Sequence, residues 1–277
     1  MTQDGISLNG TQTTSERPDV DLYSFDPAAH ILKVQGWHYE NFLSIRAVLE
    51  QAKKQLTDII VKSDSDEGEL TFTRLYSMLM GIWIEARLHV LLYENNAFTE
   101  EERAFIYNSG TIEKKWSTAL AVAVKKSAGL SFSDEITRTN VGFSSYNIYS
   151  EIADWIEEYF SSSIKSRNKI AHGQWVNPFT SKTPGESWEN SNYFKINPYT
   201  KRSFLLVNEN LLTISEKAKL LLAISTAINN LSVEREDYKV KDFDQHYREI
   251  SGHIEKLSNI NYFDYKNRAR QAYLARM

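Results

Sequence analysis

Arg167, Asn168 and His172 fall within one six-residue stretch, Arg167-Asn168-Lys169-Ile170-Ala171-His172, and Gly173 follows directly. The guanidinium of an arginine is always charged and offers a planar fork to phosphate oxygens. An imidazole transfers protons near neutral pH. A cation with a proton carrier supplies what phosphodiester cleavage needs without a metal: charge stabilisation at phosphorus, and proton transfer at the attacking or leaving oxygen. RNA carries its own nucleophile in the 2′-hydroxyl, whereas DNA does not.

These residues must be positioned by the end of a helix. Residues 146 to 172 carry Ile148, Ile152, Trp155, Ile156, Tyr159, Phe160 and Ile164 at three- and four-residue steps, which predicts an amphipathic helix. Gly173 then supplies the left-handed position that ends it. On such a helix Asn168 and His172 share a face and can hydrogen-bond. Arg167 and His172 stand about 140° apart around the axis, so a distorted last turn or a second copy of the helix is needed to bring them together. The negative end of the helix dipole also stabilises a cation there by about 0.3 to 1 kcal/mol, which suits a histidine acting as acid or base.

All five prolines lie at 18, 27, 178, 184 and 198, leaving about 150 residues without one, a span that favours helices. Periodicity predicts helices over residues 38 to 62, ended by Asp64-Ser65-Asp66-Glu67-Gly68, and over 70 to 95, the latter apolar nearly all round and therefore central. Glu85, Arg87 and His89 interrupt that central segment, and each must find a partner or face a cleft. Shorter helices follow at 99 to 107, where Thr99 and Glu102 fit a capping box, and at 111 to 128, with Lys114, Lys115, Lys125 and Lys126 read as a solvated face. Residues 129 to 145 read as a loop.

The pattern changes over 174 to 210. The alternation in 193–196 and 203–207 suggests a small β-hairpin within a loop excursion. Residues 211 to 232 return to a buried helix, and Phe243, Tyr247, Ile250, Ile254 and Leu257 mark a last amphipathic one. The basic segment 261–277 reads as a solvated end. Residues 1–25, polar and almost without apolar periodicity, read as a mobile tail. The expected organisation is an all-α helical bundle over residues 26–260, with the excursion at 174–210 and a C-terminal amphipathic helix.

Composition narrows the function classes. A net charge of −4 with a pI near 5.9 is wrong for a protein that coats nucleic acid through bulk positive charge, while leaving a local phosphate site open. Cysteine is absent, which removes disulfides and thiolate ligands and suits the cytoplasm. No apolar run approaches the roughly 18 residues of a membrane-spanning segment, and the N-terminus carries no apolar core of a secretory signal. No glycine-rich phosphate loop, His-x-x-x-His pair or Gly-x-Ser-x-Gly elbow occurs, so no metal or cofactor is expected.

Spacing alone is cheap: Arg248 and His253 repeat the interval of Arg167 and His172, though without an asparagine after the arginine. Context adds more. Arg167-Asn168-Lys169-Ile170-Ala171-His172, closing a long helix in an all-helical chain, resembles the Arg-x(4–6)-His signature of the HEPN superfamily, over roughly residues 38 to 172. The resemblance implies a HEPN-like bundle that forms a homodimer, with motifs of both subunits lining one cleft, and a metal-independent endoribonuclease in antiviral defence or as a toxin. It would make Arg167 the phosphate-binding group, His172 the catalytic imidazole and Asn168 the positioning residue, with Glu85 and then His89 as supporting groups from an earlier helix. The implied partners are RNA, a second copy of the chain, and an antitoxin or regulatory protein. Gln174 stands where toxins paired with small nucleotidyltransferase antitoxins often carry tyrosine, which points toward a freestanding defence ribonuclease. Two other readings of the same residues stand beside this one: a non-catalytic nucleotide- or protein-binding regulatory module, and a structural domain in which Arg167 and His172 only close a helix.

Overall fold

The computed structural model describes residues 26–63, 65–176, 206, 208–233 and 242–277. Among them every regular element is helical. The suggested hairpin at 193–207 and the tail at 1–25 lie outside the described residues, apart from Leu206 in a turn.

Helix α1, Pro27–Asp58, begins eleven residues before the apolar periodicity does, at a proline in the first turn. Asp26 caps it by accepting from the Ala28 N–H. A proline there has no amide to leave unpaired, so it starts a helix rather than breaking one. The early turns of α1 bury little, which is why no stripe marked them. A π-helical turn, Ile59–Ser63, follows.

The helical run that begins at Pro27 ends at Ser63, ahead of the acidic cluster expected to terminate it, and from Ser65 on that cluster also opens the next helix. Ser65 caps α2, Asp66–Leu92, through a hydrogen bond from the Gly68 N–H, and Asp66, Glu67 and Glu69 occupy its first turn. Carboxylates are favoured there by the helix dipole. Helix α2 has the length and apolarity of a membrane-crossing helix, but most of its apolar stretch is buried inside the bundle. It is the central element, packed against α1 along its length.

Helix α3, Glu100–Tyr107, carries the expected capping box between Thr99 and Glu102. Helix α4, Ile112–Ser127, buries Trp116 completely, edge-on to Phe160 with ring centres 5.2 Å apart. Its last lysines are not simply solvated: Lys125 donates to the Phe132 carbonyl and Lys126 to that of Ala97. A short helix α5, Arg138–Val141, interrupts the loop predicted over 129–145.

The helix expected over 146–172 is three pieces: α6, Phe143–Trp155; a π turn, Ile156–Phe160; and α7, Ser161–Ala171. The reason lies in the spacing of its buried residues. Ile148, Ile152, Ile156, Phe160 and Ile164 are all buried and step by four throughout. On a regular helix that row drifts about 40° per step. A wider turn in its middle takes up the drift and keeps the row on one face.

Helix α8, Leu211–Ser232, and α9, Phe243–Ser258, pack as a pair. Helix α10, Tyr262–Leu274, departs from the expected solvated basic end. Tyr262 and Lys266 both bond Glu69 on α2, at 2.7 and 2.6 Å, and Arg270 donates to the Ile60 carbonyl in the first π turn. The C-terminal helix thus clasps the corner where α1 turns into α2.

Candidate functional site

The site is set where α7 crosses α2. Helix α7 approaches with small residues, since Ser161, Ser163 and Ser166 are buried. Helix α2 meets them with Gly81, where an added Cβ would lie 2.6 Å from the Arg167 Cβ and 3.1 Å from the Ser163 carbonyl oxygen. A glycine inside a helix costs about 1 kcal/mol relative to alanine, and here the close crossing offsets that cost. Arg167 therefore emerges pressed onto α2, one helical turn from Glu85.

Arg167 is held on two sides. Its Nη1 donates to Glu85 Oε2 at 2.5 Å, while Nε and Nη2 both donate to Asn168 Oδ1 at 3.2 and 3.0 Å. Three of the five guanidinium N–H groups are thereby spent, and two remain for an incoming acceptor. Its side chain keeps 22% of its surface exposed.

Asn168 does not do what its spacing suggested. The amide was expected to reach His172 along the helix face, but its oxygen is taken by the neighbouring guanidinium. The link from Asn168 to His172 runs instead through the backbone, His172 N–H to Asn168 carbonyl at 3.1 Å. Asn168 thus orients Arg167 rather than the imidazole.

His172 caps the C-terminus of α7. Gly173 follows with φ of +77°, its N–H bonded to the Ile170 carbonyl, and the Gln174 N–H returns to the Lys169 carbonyl at 2.9 Å. That pair of bonds is the Schellman arrangement, and the positive φ is what requires glycine. The His172 side chain is exposed and has no hydrogen-bond partner among the described residues. Arg167 and His172 are not linked to each other within the chain. Downstream, buried Arg74 of α2 donates to the carbonyls of Trp175 and Leu206, at 3.0 and 2.8 Å, fixing the backbone just beyond the histidine.

Glu85 and His89 stand one turn apart on α2 and line the same cavity of about 320 Å³, set between α1 and α2. His89 Nδ1 bonds the Tyr107 hydroxyl at 2.9 Å. Its ring stacks on that of His38 from α1, 5.0 Å between centres and 9° from parallel. Burial lowers the pKa of both imidazoles below the ordinary 6.5, and for His89 the neighbouring His38 lowers it further, against the opposing pull of Glu85. Both rings are therefore neutral at pH 7. Among the described residues no three histidine, aspartate or glutamate side chains converge as a metal-ligand set.

Sequence reasoning missed His38, Gly81 and Arg74. Gly81 did carry a signal, because a glycine inside a buried helix calls for a close neighbour. His38 carried none, since a lone histidine on a mostly exposed helix looks like any surface residue. The second Arg-to-His interval lies elsewhere: His253 bonds Glu216 at 2.7 Å and Arg248 bonds its own helix at the Asp244 carbonyl. Comparison of the chain with protein-family models, with curated proteins and with solved structures finds no match.

Proposed function

We propose that the chain is a metal-independent endoribonuclease of the HEPN type. The observation that carries this reading is Arg167: a guanidinium fastened in place by Asn168 and by Glu85, which itself lines a cavity, with two N–H groups left unspent. Held in advance, such a cation binds a phosphate without first losing side-chain freedom. The 2′-oxygen attacks phosphorus, the bond to the 5′-oxygen breaks, and a 2′,3′-cyclic phosphate and a 5′-hydroxyl result. Arg167 stabilises the charge on the non-bridging oxygens. The unbonded His172 imidazole, presented by the second chain of a homodimer, takes the 2′-hydroxyl proton, and water protonates the leaving 5′-oxygen. The setting we propose is cytoplasmic, in antiviral defence or as a toxin restrained by an antitoxin or regulatory protein.

The test is cleavage of single-stranded RNA in the presence of EDTA, with end analysis. Cyclic phosphate ends are expected, and His172→Ala and Arg167→Ala each abolish cleavage at an unchanged melting temperature. Full activity in either variant overturns the reading.

One observation favours a second reading, a nucleotide- or protein-binding regulatory module. Glu85 already neutralises Arg167, so a phosphate must compete with a carboxylate, which suits reversible binding. Ligand binding that survives loss of both Arg167 and His172, with no nuclease activity, would decide for it.

A further inference from the structure

The cavity beside Arg167 has a definite chemistry of its own. His38, Asn41 and Ile45 ascend one face of α1 while His89, Ala86 and Ile82 descend the facing side of α2, and Glu85 closes the end toward Arg167. The apolar side chains offer contact to flat surfaces. Polar groups stand at the edges: Asn41, with Ser44 one turn further along α1, has no hydrogen-bond partner among the described residues. His89 spends only Nδ1, on Tyr107, which leaves its Nε2 free. The two imidazoles are already stacked on each other, with Tyr93 tilted against His38 and Tyr107 stacked against His89, so their edges more than their faces are what a ligand can use.

This lining discriminates among ligand classes. It contains no lysine or arginine, and its one carboxylate is paired with Arg167, so it is neither a second phosphate site nor a cation site. A small cavity with apolar walls and neutral donors and acceptors at its edges fits a flat heterocycle with polar edges. Its neighbour through Glu85 is the guanidinium assigned to phosphate.

The geometry points to a nucleobase subsite: the α1–α2 cavity holds the base of the nucleotide whose phosphate Arg167 binds, and Asn41, Ser44 and the free edges of His38 and His89 select that base. This rests on the assignment of Arg167 to phosphate under the proposed function, and deepens it by giving the protein a sequence preference. Asn41 and Ser44 are exposed on α1, so replacing them leaves the fold intact.

The full-length His172→Ala chain is titrated calorimetrically with the four nucleoside 3′-monophosphates, which it cannot consume. One base is expected to bind about tenfold more tightly than the weakest, the worth of one or two edge hydrogen bonds. Asn41→Ala with Ser44→Ala levels the four affinities, and Arg167→Ala weakens all four together. Four affinities within about twofold of one another, a preference that survives the Asn41 and Ser44 replacements, or no binding at all would overturn the subsite. The ribonuclease reading fails separately, in the RNA cleavage assay of Arg167→Ala and His172→Ala, whatever the base preference.

Discussion

At the scale of single residues, the informative side chain is Asn168. Its carboxamide oxygen accepts two hydrogen bonds from Arg167 and so sets which face of the guanidinium remains open. Asn168 is exposed, and its removal exposes no core. Asn168→Ala should therefore leave the melting temperature within about 1 °C, as for a surface substitution worth a few tenths of a kcal/mol. Phosphate binding should weaken several-fold because Arg167 is then held by Glu85 alone. Asn168→Asp keeps the acceptor but adds a second carboxylate to the cation, and the neutralised guanidinium should bind phosphate less well than in the alanine variant. Titration of both variants with a nucleoside 3′-monophosphate ranks them, and equal affinities for wild type and Asn168→Asp would remove Asn168 from the site. The sequence made Asn168 visible as a neighbour of both Arg167 and His172. Which one it serves depends on where Arg167 is pushed by α2, and no spacing encodes that.

At the scale of elements, the site depends on one helix crossing. Alanine normally stabilises an exposed helix interior relative to glycine by about 1 kcal/mol. At Gly81 the sign reverses, since the new methyl would meet the Arg167 Cβ at 2.6 Å and a backbone carbonyl at 3.1 Å, and backbone does not yield as a flexible side-chain tip does. Gly81→Ala is expected to destabilise by about 1 to 3 kcal/mol, as overpacking does, read by denaturant melts. It should also disturb phosphate binding by lifting Arg167 off α2. A stabilised variant would show that the crossing has slack. Most helices and the capping box at Thr99 were legible, because apolar spacing and terminal polar residues are local signals. The π turn at Ile156–Phe160 could be read only from the four successive four-residue steps of its buried row. The docking of α10 was not legible, since Lys266 and Arg270 find Glu69 and Ile60 across some two hundred residues of chain.

At the scale of the whole molecule, the open matter is how one phosphate meets both Arg167 and His172. Within a single chain the arginine is turned onto α2 and bonded to Glu85, while the histidine stands exposed at the end of α7 without a partner among the described residues. Five residues of helix separate them by about 140° around the axis. In the homodimer we propose, a second chain related by a two-fold axis would supply the missing group, since a symmetric pairing presents each motif to its copy. That arrangement predicts complementation. Arg167→Ala and His172→Ala chains, each inactive alone, should recover partial RNA cleavage when unfolded together and refolded as a mixture, because a mixed dimer then holds one chain with the arginine and one with the histidine. Refolding each variant alone should give nothing, and sedimentation should find the mixture dimeric. If the mixture stays inactive while wild type refolds to full activity, both groups act from the same chain, and α7 must then unwind at His172 to bring the imidazole round to Arg167.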